Sequence, residues 1–436
     1  MSFSEIFERI RHLISGYNKA TKISDERFVN VGEGYCKTSV NTCIFRTNSL
    51  ITYGEIQYIA YYDRRGRVVL GKRHIGSEKW ELNRTRFRAN VKDAHNVISL
   101  GTDGEGYLHI AFGMHATRLN YSRSVLPGSL KMLPIHAMTG EDEEKCTYPE
   151  FYLLPSGDLL FAYRSGKSGN GNMVLKRYDV KDKSWRTVNA NLLDGEGERN
   201  AYWQAYLDKK GTFHLSWVWR ETADVATNHD LCYAKSDDGG MTWKRSDGTC
   251  YTLPITLARS EIAWTIPQKS ELINQTSMCA DDDGKPYIAT YWRDAESDTP
   301  QFRLIWLRDA VWQMVLVGNR QLPFTLSGKG TKMVPVSRPR VAVIGDIIYY
   351  IFRDKERGSR ITVCKIEKHC LKKQSFEDLT DFSVDAWEPT IDIELLKNKG
   401  QLHIFVQATH QGDGERRSEC SEKSTPVYVL EYKKDN

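Results

Sequence analysis

Gly211-Thr-Phe-His-Leu-Ser-Trp217 reads as a tight turn at glycine followed by a strand whose side chains alternate between two faces, and the chain contains six more segments like it. They are Gly54-Glu-Ile-Gln-Tyr-Ile-Ala-Tyr, Gly106-Tyr-Leu-His-Ile-Ala-Phe, Gly157-Asp-Leu-Leu-Phe-Ala-Tyr, Gly284-Lys-Pro-Tyr-Ile-Ala-Thr, Gly345-Asp-Ile-Ile-Tyr-Tyr-Ile and Gly400-Gln-Leu-His-Ile-Phe-Val. The glycines recur roughly every fifty to seventy residues, the period of a four-stranded blade. An apolar run precedes each, as in His95-Asn-Val-Ile-Ser-Leu and Tyr148-Pro-Glu-Phe-Tyr-Leu-Leu, so the repeated unit is a hairpin with its turn near the glycine. Seven such hairpins predict an all-β, seven-bladed β-propeller with four strands per blade. The inner hairpins are expected at residues 40–62, 95–114, 148–164, 202–220, 274–293, 338–353 and 388–408. A propeller gathers the same end of every inner hairpin around one axis, so residues far apart in sequence are expected to meet there.

The repeat spans nearly all of the 436 residues without a Pro/Ser-rich linker or charge block, which predicts one propeller domain over 21–436. Residues 1–20 are expected to form a short amphipathic helix packed on it. Ile6, Phe7, Ile10, Leu13 and Ile14 fall at helical spacing, and Ser2 with Glu5 fits a capping box. That start is not a signal peptide, and no run reaches transmembrane length, so no membrane partner is expected. Nine cysteines without a leader argue for reduced thiols and the cytoplasm; a chain trimmed of its leader would instead be secreted or periplasmic. Sixty-one basic against fifty-six acidic residues leave a net charge of +5, and the basic residues look dispersed along the sequence. This excludes a nucleic-acid footprint but permits a local cationic pocket. The chain is expected to be a monomer.

Ser236-Asp-Asp-Gly-Gly-Met-Thr-Trp243 fits the Asp-box pattern Ser-x-Asp-x-Gly-x-Thr-Trp. It predicts an outer blade turn in which Asp238 accepts backbone N–H groups, Gly240 takes a positive φ and Trp243 plugs the gap between strands. The long interval between Gly211 and Gly284 predicts an extra loop around 245–270 that overhangs a face. The tail Val427-Tyr-Val-Leu-Glu-Tyr432 is expected to close the ring by pairing with strands of the first blade.

In a hairpin, the start of the first strand and the end of the second lie at the same end. This rule brings together His95 and His115, Tyr148 and Arg164, Tyr202 or Tyr206 and Arg220, Asn274 or Gln275 and Arg293, Arg338 and Arg353, and Glu388 and His410. Tyr163-Arg164, Trp219-Arg220, Trp292-Arg293 and Phe352-Arg353 repeat an aromatic–arginine ending. One such arginine braces a neighbouring blade, but four cations around one mouth with few acids repel one another unless an anion visits. Histidines and tyrosines beside them would add proton-transfer groups. By contrast His109, His214 and His403 lie in mid-strand and read as packed residues. A second cluster, His214, His229, Cys232 and Cys279 on adjacent strands, offers two imidazoles and two thiols, a donor set suited to tetrahedral zinc, although the spacing follows no zinc-finger pattern.

At these residues the chain resembles the BNR-repeat propellers, in particular the ulvan lyases of polysaccharide lyase families twenty-four and twenty-five. The resemblance runs from about His95 to Arg293. It is densest in Trp217-Val-Trp-Arg-Glu-Thr-Ala-Asp-Val-Ala-Thr-Asn-His-Asp, in the Asp-box and in Ile273-Asn-Gln-Thr-Ser-Met. It implies β-elimination at a 4-linked uronate in an acidic polysaccharide or oligosaccharide, with a rhamnose–glucuronate linkage as the model substrate. His95, Tyr148, His115 and Arg220 match the catalytic set, with base and acid shared between His95 and Tyr148 in an order left open. Arg164, Tyr206, Arg293 and Asn274 are the expected substrate-binding residues. The resemblance also implies a structural zinc, for which His214, His229, Cys232 and Cys279 are the candidates; no organic cofactor is expected. A glycoside hydrolase of the rhamnosidase or sialidase type, or a carbohydrate-binding propeller without catalysis, would share the fold.

Overall fold

All seven turn glycines adopt a positive φ, between 58° and 88°. A Cβ is strained there, so backbone geometry selects glycine at each repeat. The computed structural model describes residues 28–414 and 420–432, and the expected helix over 1–20 lies outside them. Seven sheets form seven blades. Their inner hairpins are Leu50–Tyr53 with Ile56–Tyr62, Ile98–Thr102 with Leu108–Phe112, Cys146–Leu153 with Leu159–Lys167, and Asn200–Leu207 with Phe213–Arg220. Ser277–Ala280 with Pro286–Trp292, Arg340–Ile344 with Ile347–Asp354, and Thr390–Ile391 with Leu402–Val406 complete the ring. In every blade except blade 3 the first strand of the pair is innermost, and the strands within each blade pair antiparallel.

Three expectations about the blades need correction. Blade 2 has three strands and blade 3 has five. After Phe112 the chain turns at Gly113 (φ 69°), and the short strand His115–Thr117 leaves its own blade to pair with the inner edge of blade 3, where His115 lies opposite Thr147. Second, the tail strand Ser424–Tyr432 belongs to blade 7 itself. It pairs with Leu402–Val406 on one side and with the N-terminal strand Phe28–Tyr35 on the other, and that N-terminal strand closes the ring instead of a strand of blade 1. Third, residues 245–270 do not overhang a face: Tyr251 and Ile255 are buried, Ile255 bridges to Leu193 between blades 3 and 4, and Glu261–Trp264 is the fourth strand of blade 4.

Gly400 also differs from its six counterparts. It ends a helix, Ile393–Lys399, whose N-terminus is capped by Asp392 accepting from the Leu395 N–H. The helix buries Leu395 and Leu396 and replaces the hairpin turn of blade 7, packing beside the inner strand of blade 1 at the end of the channel opposite the histidines.

Packing between blades is aromatic. Trp203, Trp217, Trp219 and Trp243 are all buried in one cluster between blades 3 and 4. The Asp-box supplies Trp243: Asp238 accepts from the N–H groups of Met241 and Thr242, Gly240 has a φ of 91°, and the indole N–H donates to the Gly240 carbonyl at 3.0 Å. Truncating such a side chain costs about 3–5 kcal/mol through the cavity left behind. The Asp-box therefore holds two blades together on the periphery.

Candidate active site

Asp93, a residue the sequence reading passed over, organises the mouth. Its Oδ1 accepts from the backbone N–H of His95 at 3.0 Å and from His95 Nδ1 at 2.8 Å, while Oδ2 accepts from His115 Nδ1 at 2.6 Å. One carboxylate thus holds two imidazoles, whose rings stack at 4.1 Å with 18° between planes. His115 reaches this position because its strand crosses to blade 3. Burial alone would raise the Asp93 carboxyl, but hydrogen bonds from both histidines outweigh it and hold the group far below the ordinary carboxylate range. An ionised Asp93 accepts only, so each Nδ1 carries the proton, and the Nε2 of neutral His95 keeps its lone pair. Burial lowers the His95 pKa, and the neighbouring His115 and Arg164 add to that, against the raising effect of Asp93.

Tyr148 stands next to this pair. Its φ is 59°, unusual for a residue with a side chain, and it sits in a bulge of the Cys146–Leu153/Leu159–Lys167 ladder between Thr147 and Glu150. The bulge re-aims the ring into the mouth, against Phe45 at 5.2 Å and Tyr202 at 6.2 Å. Burial and the adjoining Tyr202 push the Tyr148 phenol up, opposed by Arg164, Arg220 and Arg338. Burial would also raise Tyr202, but Arg220 and Arg164 prevail there and lower it. Tyr202 shares a 2.9 Å hydrogen bond with Ser168.

Two arginines complete the wall. Arg164 is 2 % exposed, donates to Thr147 Oγ1 at 3.1 Å and lies over the Tyr148 ring at 5.0 Å; its Nε has no hydrogen-bond partner. Arg220 donates to the carbonyls of Thr222 and Ala223 and lies over Tyr202 at 5.4 Å. Among the described residues neither guanidinium has a carboxylate partner. Asn274 Oδ1 sits 3.5 Å from Arg220 Nη1 and 3.4 Å from Asn228 Nδ2, which fixes its orientation. Arg338 also reaches the mouth but is clamped to Glu388 in bidentate fashion, at 2.7 and 2.5 Å. These groups surround a cavity of about 200 Å³, walled on its remaining side by Lys329, Gly330, Thr331, Lys332 and Val334 from the segment joining blades 5 and 6.

The sequence profile of a BNR repeat-containing family matches residues 56–320. The chain belongs to that BNR repeat-containing family. Among solved structures it resembles the polysaccharide lyase Uly1, with 17 % identity over 88 % of this chain and 90 % of that one and a TM-score of 0.63. It also resembles a PL25 ulvan lyase, with 15 % identity over 92 % and 95 % and a TM-score of 0.66. A PL25 ulvan lyase bound to a repeat of glucuronic acid 1-4 linked to 3-sulfated rhamnose matches at 15 % identity over 92 % and 96 %, with a TM-score of 0.67. At these identities the likeness speaks to the fold. A comparison with curated protein sequences gave no match.

Within this BNR propeller His95, His115, Tyr148, Arg164, Arg220 and Asn274 meet in one cavity, and two other expected substrate-binding residues do not join them. Tyr206 pairs with His214 near the turn end of the blade 4 hairpin and lines a different hollow with Asp208 and Gly345; Tyr202, four residues nearer the mouth, stands in the cavity instead. Arg293 donates to Glu271 at 2.5 Å and to the carbonyls of Lys269, Asp294 and Ser297, so it ties loops together outside the cavity.

The proposed zinc ligands do not fit a metal. His214 Nδ1 lies 2.8 Å from the Tyr233 hydroxyl and Nε2 lies 3.3 Å from Asp208. The same arrangement recurs in blade 2, where His109 meets Tyr121 at 2.8 Å and Asp103 at 3.1 Å. The His214 position is thus a repeated structural bracket. His229 is held by Glu221 and Asp230, and Cys232 and Cys279 lie in different core clusters. No three of these four bring ligand atoms together; among the described residues only Asp93, His95 and His115 do.

Proposed function

We propose that the chain is a lyase that cleaves a 4-linked uronate in an acidic polysaccharide or oligosaccharide by β-elimination. The observation that carries this reading is the meeting, in one cavity, of two buried guanidiniums without carboxylate partners with the Asp93-held His95 and the Tyr148 hydroxyl. A uronate carboxylate is the ligand such a wall lacks. Arg220 and Arg164 would neutralise it and render the C5 proton acidic. His95 Nε2 would take that proton. The C5–H electron pair becomes the C4=C5 bond, the C4–O4 bond breaks with its pair on oxygen, and the Tyr148 hydroxyl protonates O4. Exchange with solvent returns the proton from His95 and restores the phenol.

A two-carboxylate hydrolase is disfavoured, because that route needs a pair of carboxyl groups flanking the bond. Among the described residues Glu388 is the one carboxylate lining the cavity, and both its oxygens hold Arg338. The saccharide bound to the PL25 neighbour, glucuronate 1-4 linked to 3-sulfated rhamnose, supports testing that linkage first. The test is the ultraviolet absorbance of an unsaturated uronate after incubation with such oligosaccharides. Lyase action creates the chromophore, whereas saturated products or intact substrate would overturn the proposal.

A further inference from the structure

The expectation that basic residues are dispersed fails over residues 64–92, where seven of them lie together on the rim of blade 1. Strand Glu81–Arg88 is the outermost of that blade; Arg84, Arg86 and Arg88 are exposed while Thr85 and Phe87 between them are buried. Arg67 lies opposite Arg88 in the adjoining strand, and Arg64 and Arg65 occupy the turn beside them, where Arg88 Nη1 donates to the Arg65 carbonyl at 3.0 Å. Lys92 continues the row and is also exposed. Among the described residues none of these seven side chains forms an ion pair. Glu33 and Asp63 share a hollow of about 340 Å³ with Arg64, Arg65, Arg67 and Arg84, so two acids offset part of the row and cations still outnumber them.

Direct opposition of like charges across strands is destabilising. Guarding an exposed edge strand against pairing needs only scattered charges of either sign. A single-sign row of guanidiniums is therefore more than edge protection requires, and it raises the local concentration of anions. Its position adds to this. Ile56–Tyr62 ends at the mouth, so the turn 63–66 and Arg88 lie on the same face as the cavity. From Arg88 the chain runs through Lys92 directly into Asp93 and His95.

We infer that the mouth-side rim of blade 1 is a binding surface for a sulfated or carboxylated polysaccharide chain, holding units beyond the one in the cavity. The choice of occupant rests on the lyase reading. The cavity, at about 200 Å³, is below the roughly 300–1,000 Å³ that encloses a drug-sized ligand, so most of a polymer must lie outside it. A polyanion with a charge on nearly every unit matches a row of cations spread from Arg84 to Lys92.

The experiment compares the wild-type chain with the triple variant R64A/R65A/R88A, all exposed or rim positions. Binding is measured at increasing sodium chloride to four probes: a long sulfated glucuronate–rhamnose polymer, its tetrasaccharide, neutral dextran and duplex DNA. Wild type should hold the polymer at least tenfold more tightly than the tetrasaccharide, with an affinity that falls steeply with salt. The variant should lose that advantage and flatten the salt dependence, while tetrasaccharide binding stays within twofold. Unchanged polymer affinity in the variant would overturn the inference, as would dextran or DNA binding as tight as the polymer. Since the readout is binding, the two ideas fail separately. Absence of unsaturated product with the expected binding removes the lyase reading alone, and product formation with unaltered polymer affinity removes the rim alone.

Discussion

The two ends of the inner hairpins follow different rules. At the turn end the same residues do the same work in separate blades: Asp103, His109 and Tyr121 in blade 2 reappear as Asp208, His214 and Tyr233 in blade 4, with similar distances. At the mouth end the residue types repeat but their work divides. Arg164 and Arg220 face the cavity without carboxylate partners, whereas Arg293 binds Glu271 and Arg353 donates to the carbonyls of Pro335, Val336 and Trp387. A repeated sequence pattern therefore identifies the scaffold reliably, and the absence of a partner identifies the site.

Arg338 stands on the border of that division, and its removal should have the largest effect. It lines the cavity but is locked to Glu388, which is itself buried and accepts from the Ile44 N–H at 2.8 Å. Arg338→Ala leaves that carboxylate buried without its cation, which is expected to cost about 3–5 kcal/mol. Chemical denaturation should show a clearly lower midpoint; an unchanged one would mean the pair does not brace the ring. Next comes the contrast between Arg220 and Arg293. Arg220→Ala should lower kcat/KM by roughly two to three decades, about 2–4 kcal/mol of transition-state stabilisation, with little change in stability. Arg293→Ala should do the reverse, leaving activity within about twofold and costing about 1–3 kcal/mol of stability through its lost hydrogen bonds. Equal losses of activity in the two variants would break the comparison.

Asp93 lets the mouth be tested through pH. Because burial depresses the His95 pKa, the base is neutral at pH 7, and the acid limb of kcat/KM should lie below the ordinary histidine value of about 6.5. The Asp93 hydrogen bond opposes that depression. Asp93→Asn removes the carboxylate that favours imidazolium, so the limb should move further to acid, and kcat should fall roughly ten- to a hundredfold as the imidazoles lose their fixed tautomer. A limb that moves to higher pH would contradict the assigned role, since a merely structural Asp93 would leave it in place.

The fold was legible because backbone demands are local. Seven glycines needed positive φ, and each announced itself beside an alternating strand. The hairpin rule also placed His95, Tyr148, Arg164 and Arg220 at one end. What escaped was whatever depends on partners distant in sequence. Nothing near Arg293 in the sequence marks Glu271 as its partner, and nothing near His214 announces Tyr233 across the strand. The same holds for the four candidate zinc ligands: histidines and cysteines on adjacent strands are close in topology while their side chains point to different neighbours. Asp93 had a readable signal, an Asp two residues before a strand-end histidine, where an Asx turn is favoured. Its second imidazole came from a strand that changes sheets, which periodicity does not reveal.

The smallest expected effect tests a matter of register. Tyr202 and Tyr206 lie on the same face of one strand, paired with Val218 and His214 respectively. Four residues of strand separate them by about 13 Å, enough to put one in the mouth and the other near the turn end. In Tyr202 the hydroxyl bonds Ser168 and the phenol is held down, against burial, by Arg220 and Arg164. In Tyr206 burial, with Cys279 and Glu394 adding to it, pushes the phenol well up and keeps it neutral. Removing each hydroxyl therefore removes different things. Tyr202→Phe should lower kcat roughly tenfold while the ring still packs, the mark of an interaction made mainly in the transition state. Tyr206→Phe should leave kcat and KM within about twofold, as expected for a substitution away from the chemistry. Parallel kinetics on the two variants with one uronate oligosaccharide decide the matter, because the sequence offered both tyrosines for one role and only the register separates them.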